Sequence, residues 1–390
     1  MEDESSDSIN FFSPEAASCP QPVLNRLRDR CPVGQAIPGG SVCVSRYEDV
    51  MFALRNPQIF TSELPAGLVG NKRALIPLQI DPPRQTRYRK LLDPIFSRKR
   101  MVALEPDFRA LAGDLIDRFV DKGECEFNED FAVPYPSTVF ARLMGLPMDD
   151  IDTFLEIKDG IIRPSGDTPE EVAAVRAAAS DRVYEYMGEM FDERMNHPRE
   201  DLMSHLVTAE LDGQKLTREE LLDISFLMII AGLDTVTATL GCSVAYLAAH
   251  PDRRRALVAD PALLETTVEE LLRWETPVVQ IVRMLTQDYE LHGVAMKKGD
   301  VVTLVLGAAN LDEAQFEDAG VVDFGREVNK HLAFGGGAHR CLGSHLARQE
   351  LMIALDEFHK RVPDYAIKAG ETPVYTPAIR EVKYLPLVFE

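Results

Sequence analysis

Phe334-Gly335-Gly336-Gly337-Ala338-His339-Arg340-Cys341-Leu342-Gly343 is the stretch from which the rest of the chain can be read. Three consecutive glycines permit a tight loop whose backbone torsions are closed to other residues. Beyond it, Ser344 to Lys360 carries Leu346, Ala347, Leu351, Ala354 and Leu355 at roughly helical spacing, which predicts a helix. Cys341 therefore stands just before or at a helix N-terminus, where the dipole and free N–H groups favour a thiolate over a thiol. A thiolate held among backbone donors beside a flat glycine surface is what a haem iron needs as a proximal ligand. The plainer alternative is a buried cysteine after a glycine turn. Phe at −7, Gly at −6 and −4, Arg at −1 and Gly at +2 of the cysteine argue against it.

The rest of the composition narrows the setting. With 390 residues, 45% of them apolar, the chain can build a sizeable core without disulfide staples. A formal charge of −21 argues against nucleic acid as a partner and for a self-repelling, soluble protein. Cys19, Cys31, Cys43, Cys125, Cys242 and Cys341 are scattered with no CxxC pair, which suits a reducing compartment and gives no zinc or iron–sulfur signature. The acidic start, Met1-Glu2-Asp3-Glu4, resembles neither a signal peptide nor a membrane anchor. The longest apolar stretch, around Ile224 to Leu233, is too short to span a bilayer. A cytoplasmic protein without membrane contact is the expectation.

Residues 1 to about 30 read as loosely ordered, followed by one domain over 31–390. Pro38-Gly39-Gly40 between short runs predicts a small hairpin over Gly34 to Ser45. Mostly helical patterns follow from Glu48 to Leu272, broken at Pro134-Tyr135-Pro136 and Arg163-Pro164-Ser165-Gly166-Asp167. From Val278 to Leu306 the pattern turns to strands, as does the tail from Tyr375.

Two further runs carry chemistry. Ala231-Gly232-Leu233-Asp234-Thr235 interrupts an apolar helical run from Leu221 to Leu247. Glycine inside a helix costs roughly 1 kcal/mol against alanine, and an acid and a hydroxyl in a buried run cost more unless satisfied. One account is a helix locally opened at Thr235, leaving a groove in which O2 fits. The plainer alternative is a core helix with a back-bonded threonine and a surface aspartate. Glu270-Leu271-Leu272-Arg273 puts an acid and a base on one helix face; alone, such a pair is ordinary solvated charge.

Taken in order, these motifs resemble the cytochrome P-450 superfamily, whose haem loop reads F-G-x-G-x-H-x-C-x-G. The resemblance runs from about Pro32 to the C-terminus, and among bacterial members it is similar to the camphor-hydroxylase branch. It implies a mainly α fold with small β-sheets. Haem b would lie between the oxygen-binding helix and the helix following the cysteine loop. Cys341 would be the iron ligand, in a loop shaped by Phe334, Gly335 and Gly343, with Ala231 and Gly232 on the opposite face. Asp234 and Thr235 would relay the two protons that O2 chemistry demands; Val236, in place of a second hydroxyl, is tolerated in the camphor branch. Arg89, Arg283 and His339 would pair with the haem propionates, and Gln85 stands where many members carry His. Glu270 and Arg273 would form a buried pair behind the loop, completed by Arg326.

By position, Leu227, Ile230, Leu233, Val279 and Ile281 would face an apolar distal pocket. The loop from Pro65 to Leu78 would cover it; camphor hydroxylase has a substrate-binding tyrosine in the matching stretch, and Asn71 to Ile76 contains none. Arg73 there is either a substrate-carboxylate anchor or an exposed loop arginine. Seven cations against one acid between Arg84 and Arg100, with Arg340 and Arg348, would steer an acidic ferredoxin served by an NAD(P)H-dependent reductase. The implied activity is a haem-thiolate monooxygenase that inserts one atom of O2 into a C–H bond of a hydrophobic small molecule of terpenoid or steroid type. A peroxygenase or oxidative coupling enzyme, a non-catalytic haem sensor, and a zinc site built from His339, Cys341 and His345 are the alternatives.

Overall fold

A computed structural model describes residues 9–10, 13–36, 39–67, 69–376 and 379–390. Most of the described chain is helical, and its short strands form small sheets. In the five-stranded one, Val33–Gln35 and Val42–Val44 make the hairpin expected there, with Pro38 outside the described residues. Val42–Val44 runs parallel to Val301–Leu304, which pairs antiparallel with Ile281–Leu285. Phe60–Thr61 closes the edge. This order carries Arg283 into the interior on the Ile281–Leu285 strand.

Residues 14–30 are not loosely ordered. Pro14–Ser18 and Pro20–Arg30 are helices, the second opening on a proline whose missing N–H has no partner to lose at that position. Val23, Leu24 and Leu27 bury one face against Val279, Val305 and Leu311. Arg28 donates to the carbonyls of Ala308 (3.3 Å) and Leu311 (2.7 Å). Three arginines and an aspartate in this short helix mask its apolar stripe when it is read by composition.

The apolar run from Leu221 is two helices. Arg218–Gly232 begins on a capping box, in which Thr217 Oγ1 accepts from Glu220 N and the Glu220 carboxylate accepts from Thr217 N. Leu233 and Asp234 leave the helix, and Thr235–Ala249 resumes it. Together, Arg218–Ala249 is long and apolar enough to cross a bilayer, contrary to the shorter stretch expected. Its most apolar window is 67% buried inside the protein, as a core helix is. Polar residues hide this length in the sequence. Thr237, Thr239 and Ser243 each return their hydroxyl to the carbonyl four residues back, at 3.1, 2.7 and 2.6 Å, so none needs solvent.

The largest core cluster joins these helices to Pro134–Met144, Ile151–Ile162, Pro169–Asn196, Leu264–Glu275 and Ser344–Arg361. A smaller cluster, with Val44, Phe60, Val302 and Leu332, lies against the five-stranded sheet.

Candidate active site

Gly335 and Gly337 both sit at φ +64°, in the left-handed region. A Cβ on Gly337 would run into the carbonyl of Leu54, so the loop packs against the Tyr47–Arg55 helix only because glycine is there. Cys341 N donates to Phe334 O at 2.9 Å, and the following helix starts at Ser344. Phe334 stands between the His331 ring (5.7 Å) and the Arg348 guanidinium (4.4 Å). The Cys341 side chain is accessible although protein surrounds it densely. That desolvation pushes the thiol up and outweighs the Gly343 N–H and the positive charges of Arg89, Arg340 and Arg348. The helix start and the arginines favour the thiolate as expected, but burial outweighs them; a metal cation at the sulfur would supply the remaining positive charge.

The Arg84–Leu92 helix fastens this loop from one side. Gln85 Nε2 donates to Ala338 O at 2.6 Å, and Arg89 Nη1 donates to Arg340 O at 2.8 Å while its Nε pairs with Asp93 at 2.8 Å. His339 Nε2 lies 3.3 Å from Asp81 Oδ1. Burial works against the Asp81 carboxylate, but His339 and Thr61 hold it below its ordinary range. Arg283 differs from both other cations. It is buried, and its one hydrogen-bond acceptor among the described residues is the neighbouring Val282 carbonyl, at 2.8 Å. Burial without a close counter-ion pulls its guanidinium down to about 10, with only Asp81 opposing. A buried guanidinium of this kind is a receptor for a carboxylate. With an accessible thiol in the glycine loop, it makes the residues present fit a haem and its propionates.

Across the break in the apolar run, Ala231 is exposed, and Leu227 and Ile230 are half-buried. Gly232 lets the Phe140 ring approach; a Cβ there would stand 2.6 Å from it. Thr235 Oγ1 donates back to Ala231 O at 3.3 Å. Asp234 is no surface residue. It is 1% exposed and paired with Lys158 Nζ at 2.7 Å and Arg163 Nη1 at 3.0 Å, and Arg163 also pairs with Glu381. Lys158 was not singled out in the sequence, and Arg163 only as the first residue of a loop. The available signal was a lysine beside Ile157 on the buried face that Phe154 and Ile161 share.

Two expected pocket residues go elsewhere. Leu233, 3% exposed, lies among Phe140, Phe154 and Leu155, because it stands about 200° round the helix from Ala231. Val279 joins Leu24 and Val305 in the cluster under the N-terminal helix. Ile281 is half-buried on its strand, at the edge of the sheet core.

Glu270 and Arg273 are fully buried and pair at 2.7 Å, and Arg326 Nε reaches the same carboxylate at 3.1 Å. Asn329 Nδ2 and Asp323 N add hydrogen bonds at 2.9 Å each. Glu269, next along the helix, ties it to the cysteine-loop helix through Arg348 Nε (2.6 Å) and to His331 (3.1 Å). Among the described residues no group of three or more His, Cys, Asp and Glu side chains could hold a metal, so His339, Cys341 and His345 do not build a zinc site.

Of the cations expected on one face, Arg87 is paired with Asp212, and Arg89 and Arg348 are engaged as described. Lys90, Arg98, Lys99, Arg100 and Arg340 are exposed and make no ion pair among the described residues. Desolvation, then Arg348, Arg340 and Arg98, hold the His345 imidazole below its ordinary range, so three segments bring positive charge to the start of the last helix.

The sequence model of the family described as "Cytochrome P450" matches residues 140–360. A "Probable cytochrome P450 127A1" of Sinorhizobium fredii is 37% identical over 338 residues, 86% of this chain and 80% of that one. A steroid C26-monooxygenase of Mycobacterium tuberculosis is 34% identical over 356 residues, 90% of this chain and 95% of that one. The crystal structure of CYP109E1 from Bacillus megaterium with testosterone superposes with a TM-score of 0.89 at 28% identity, over 97% of this chain and all of that one.

Proposed function

Since the chain belongs to the cytochrome P450 family, we propose that Cys341 binds its haem iron, and that the enzyme hydroxylates a hydrophobic molecule of terpenoid or steroid type with electrons from a ferredoxin. It is a haem b-dependent monooxygenase. When bound, haem b supplies the O2 activation from which one oxygen atom enters a C–H bond. Arg283, Arg89 and His339 hold the propionates, while Phe334, Gly335 and Gly343 shape the proximal side and Ala231 and Gly232 the distal side. Asp234, tethered at the helix break by Lys158 and Arg163, relays protons to Thr235. Thr235 Oγ1 passes them into the pocket. Glu270, Arg273 and Arg326 position the loop and touch neither substrate nor cofactor.

The observation that carries the substrate class is the apolar, open stripe of Leu227, Ile230 and Ala231 on a helix that is mostly buried beyond its first turn. The relatives named for steroid oxidation and the testosterone complex support it. Lys90, Arg98, Lys99, Arg100 and Arg340 form the ferredoxin-facing patch, and the reductase draws on NAD(P)H. Free cysteines throughout the described chain agree with a cytoplasmic setting.

Titrating the haem-loaded enzyme with steroids, terpenoids, fatty acids and aromatic acids tests this reading. Steroids or terpenoids should convert low-spin to high-spin iron and be hydroxylated with ferredoxin, reductase and NAD(P)H. Spin conversion by acids alone, or turnover on peroxide with no electron donor, would overturn it in favour of another substrate class or a peroxygenase.

A further inference from the structure

Lys72 and Arg73, in the loop expected to cover the pocket, meet two helices at one polar junction. Lys72 N donates to the Tyr184 hydroxyl at 3.1 Å, and Lys72 Nζ pairs with Asp181 at 2.6 Å. Both cations lie over the Tyr184 ring, Lys72 at 5.1 Å and Arg73 at 5.4 Å. Tyr184, on Pro169–Asn196, stacks on Phe226 at 5.1 Å. Arg73 Nε pairs with Asp223 Oδ2 at 2.8 Å, which joins the loop to Arg218–Gly232.

Two atoms of this pair remain unused. Arg73 Nη2, a donor, and Asp223 Oδ1, an acceptor, are enclosed without a hydrogen-bond partner. Asp223 as a whole is 4% exposed. Buried donors and acceptors are costly when unmade and rarely stay so without a reason. Position along the helix supplies one. Asp223, Leu227 and Ala231 are spaced by four and share a helix face, so the orphan pair, itself enclosed, lies farther along the face that carries the stripe. Eight residues at 1.5 Å each put it about 12 Å up the helix from Ala231.

We propose that Arg73 and Asp223 form a polar anchor for a neutral hydrogen-bonding group, a hydroxyl being the simplest, at the far end of the hydrophobic substrate. This rests on reading Leu227, Ile230 and Ala231 as the substrate pocket. A hydroxyl donates to Asp223 Oδ1 and accepts from Arg73 Nη2 at the same time. A carboxylate could accept from Arg73 Nη2 but has no proton to donate to Asp223 Oδ1, and Asp223, the counter-ion Arg73 already has, repels a second negative charge. Arg73 is thus a specificity residue of a different kind from the carboxylate anchor its sequence position suggests. Burial holds the Asp223 carboxyl above its ordinary range although Arg73 and the Tyr184 hydroxyl both favour the charged form.

The test uses the haem-loaded enzyme and two probes differing by one hydroxyl, 5α-androstan-3β-ol and 5α-androstane, each titrated by the spin-state change. Wild type should bind the alcohol about tenfold or more tightly than the hydrocarbon. Asp223→Leu and Arg73→Met should each bring that ratio to about one with little change for the hydrocarbon. Equal affinities in wild type overturn the anchor without any variant. A ratio that survives both substitutions, even with both ligands weakened equally, also overturns it and leaves the pair as a fastening for the loop. If neither probe shifts the spin state, the pocket assignment falls and the anchor with it.

Discussion

Replacing Glu270 by alanine removes the acceptor on which a whole buried junction converges. Its carboxylate receives Arg273 Nη2 at 2.7 Å and Nε at 2.9 Å, Asp323 N and Asn329 Nδ2 at 2.9 Å each, and Arg326 Nε at 3.1 Å. Breaking a buried ion pair by deleting one partner costs about 3–5 kcal/mol, because the other charge is left uncompensated. Arg273 would keep the carbonyls of Asn310, Ala319 and Val321, which limits the loss. A destabilisation of about 4 kcal/mol is expected, a large part of the 5–15 kcal/mol that native proteins have. Glu270→Gln retains an acceptor oxygen and should cost about half as much. Urea unfolding followed by circular dichroism measures both, with the midpoint moving and the slope unchanged. Haem content of the purified variants should fall in the same order, since residues 319–329 lead directly into the cysteine loop. A loss below about 1 kcal/mol for the alanine variant, or equal losses for both, would refute the reasoning.

Other consequences follow from the site. Thr235→Ala should leave substrate affinity intact while diverting electrons to peroxide, and Asp234→Asn should slow turnover and change the solvent isotope effect; unchanged coupling and rate would rule out the relay. Charge reversal at Lys90 or Lys99 should slow reduction by ferredoxin and flatten its dependence on ionic strength, because exposed charges act within a Debye length of about 8 Å; superimposable salt curves would move the docking site elsewhere. Burial opposes the Glu269 carboxylate, yet Arg348 and His331 hold it down to about 2. Its folded value lies below the unfolded one, so its contribution, at most about 3 kcal/mol, is complete above about pH 4.5 and disappears as pH falls towards 2. Arg348→Met should remove that part of the acid dependence in pH-resolved denaturation; an unaltered profile would mean that the pair contributes nothing.

Much of this site was legible because its residues obey local rules. A glycine run before an apolar period announces a loop and a helix, and φ values of +64° at Gly335 and Gly337 are what that run permits. A helix break was legible for a similar reason, since glycine, acid and hydroxyl fall together in an apolar run, although it falls at Leu233-Asp234 and Thr235 opens the next helix. Side-chain direction was not. Leu233 keeps helical-region torsions and stands about 200° round the helix from Ala231, beside Phe140, a partner that no local pattern names. Val279 precedes its strand, where spacing says nothing about which cluster takes it. Lys158 and Asp234 are paired across 76 positions, and no local pattern links them. Pro20–Arg30 was hidden by its own charges, and the burial of Val23, Leu24 and Leu27 depends on Val279, Val305, Ala308 and Leu311, far along the chain.

The account stands on the sulfur of Cys341, and the carbon monoxide spectrum of the reduced, haem-loaded protein tests it most directly. Wild type should give the red-shifted Soret band of a thiolate-ligated haem, and Cys341→Ala should lose that band while the apoprotein keeps its helical content by circular dichroism. A thiolate-type band that survives in Cys341→Ala, or one that never forms in the wild type, would contradict the account.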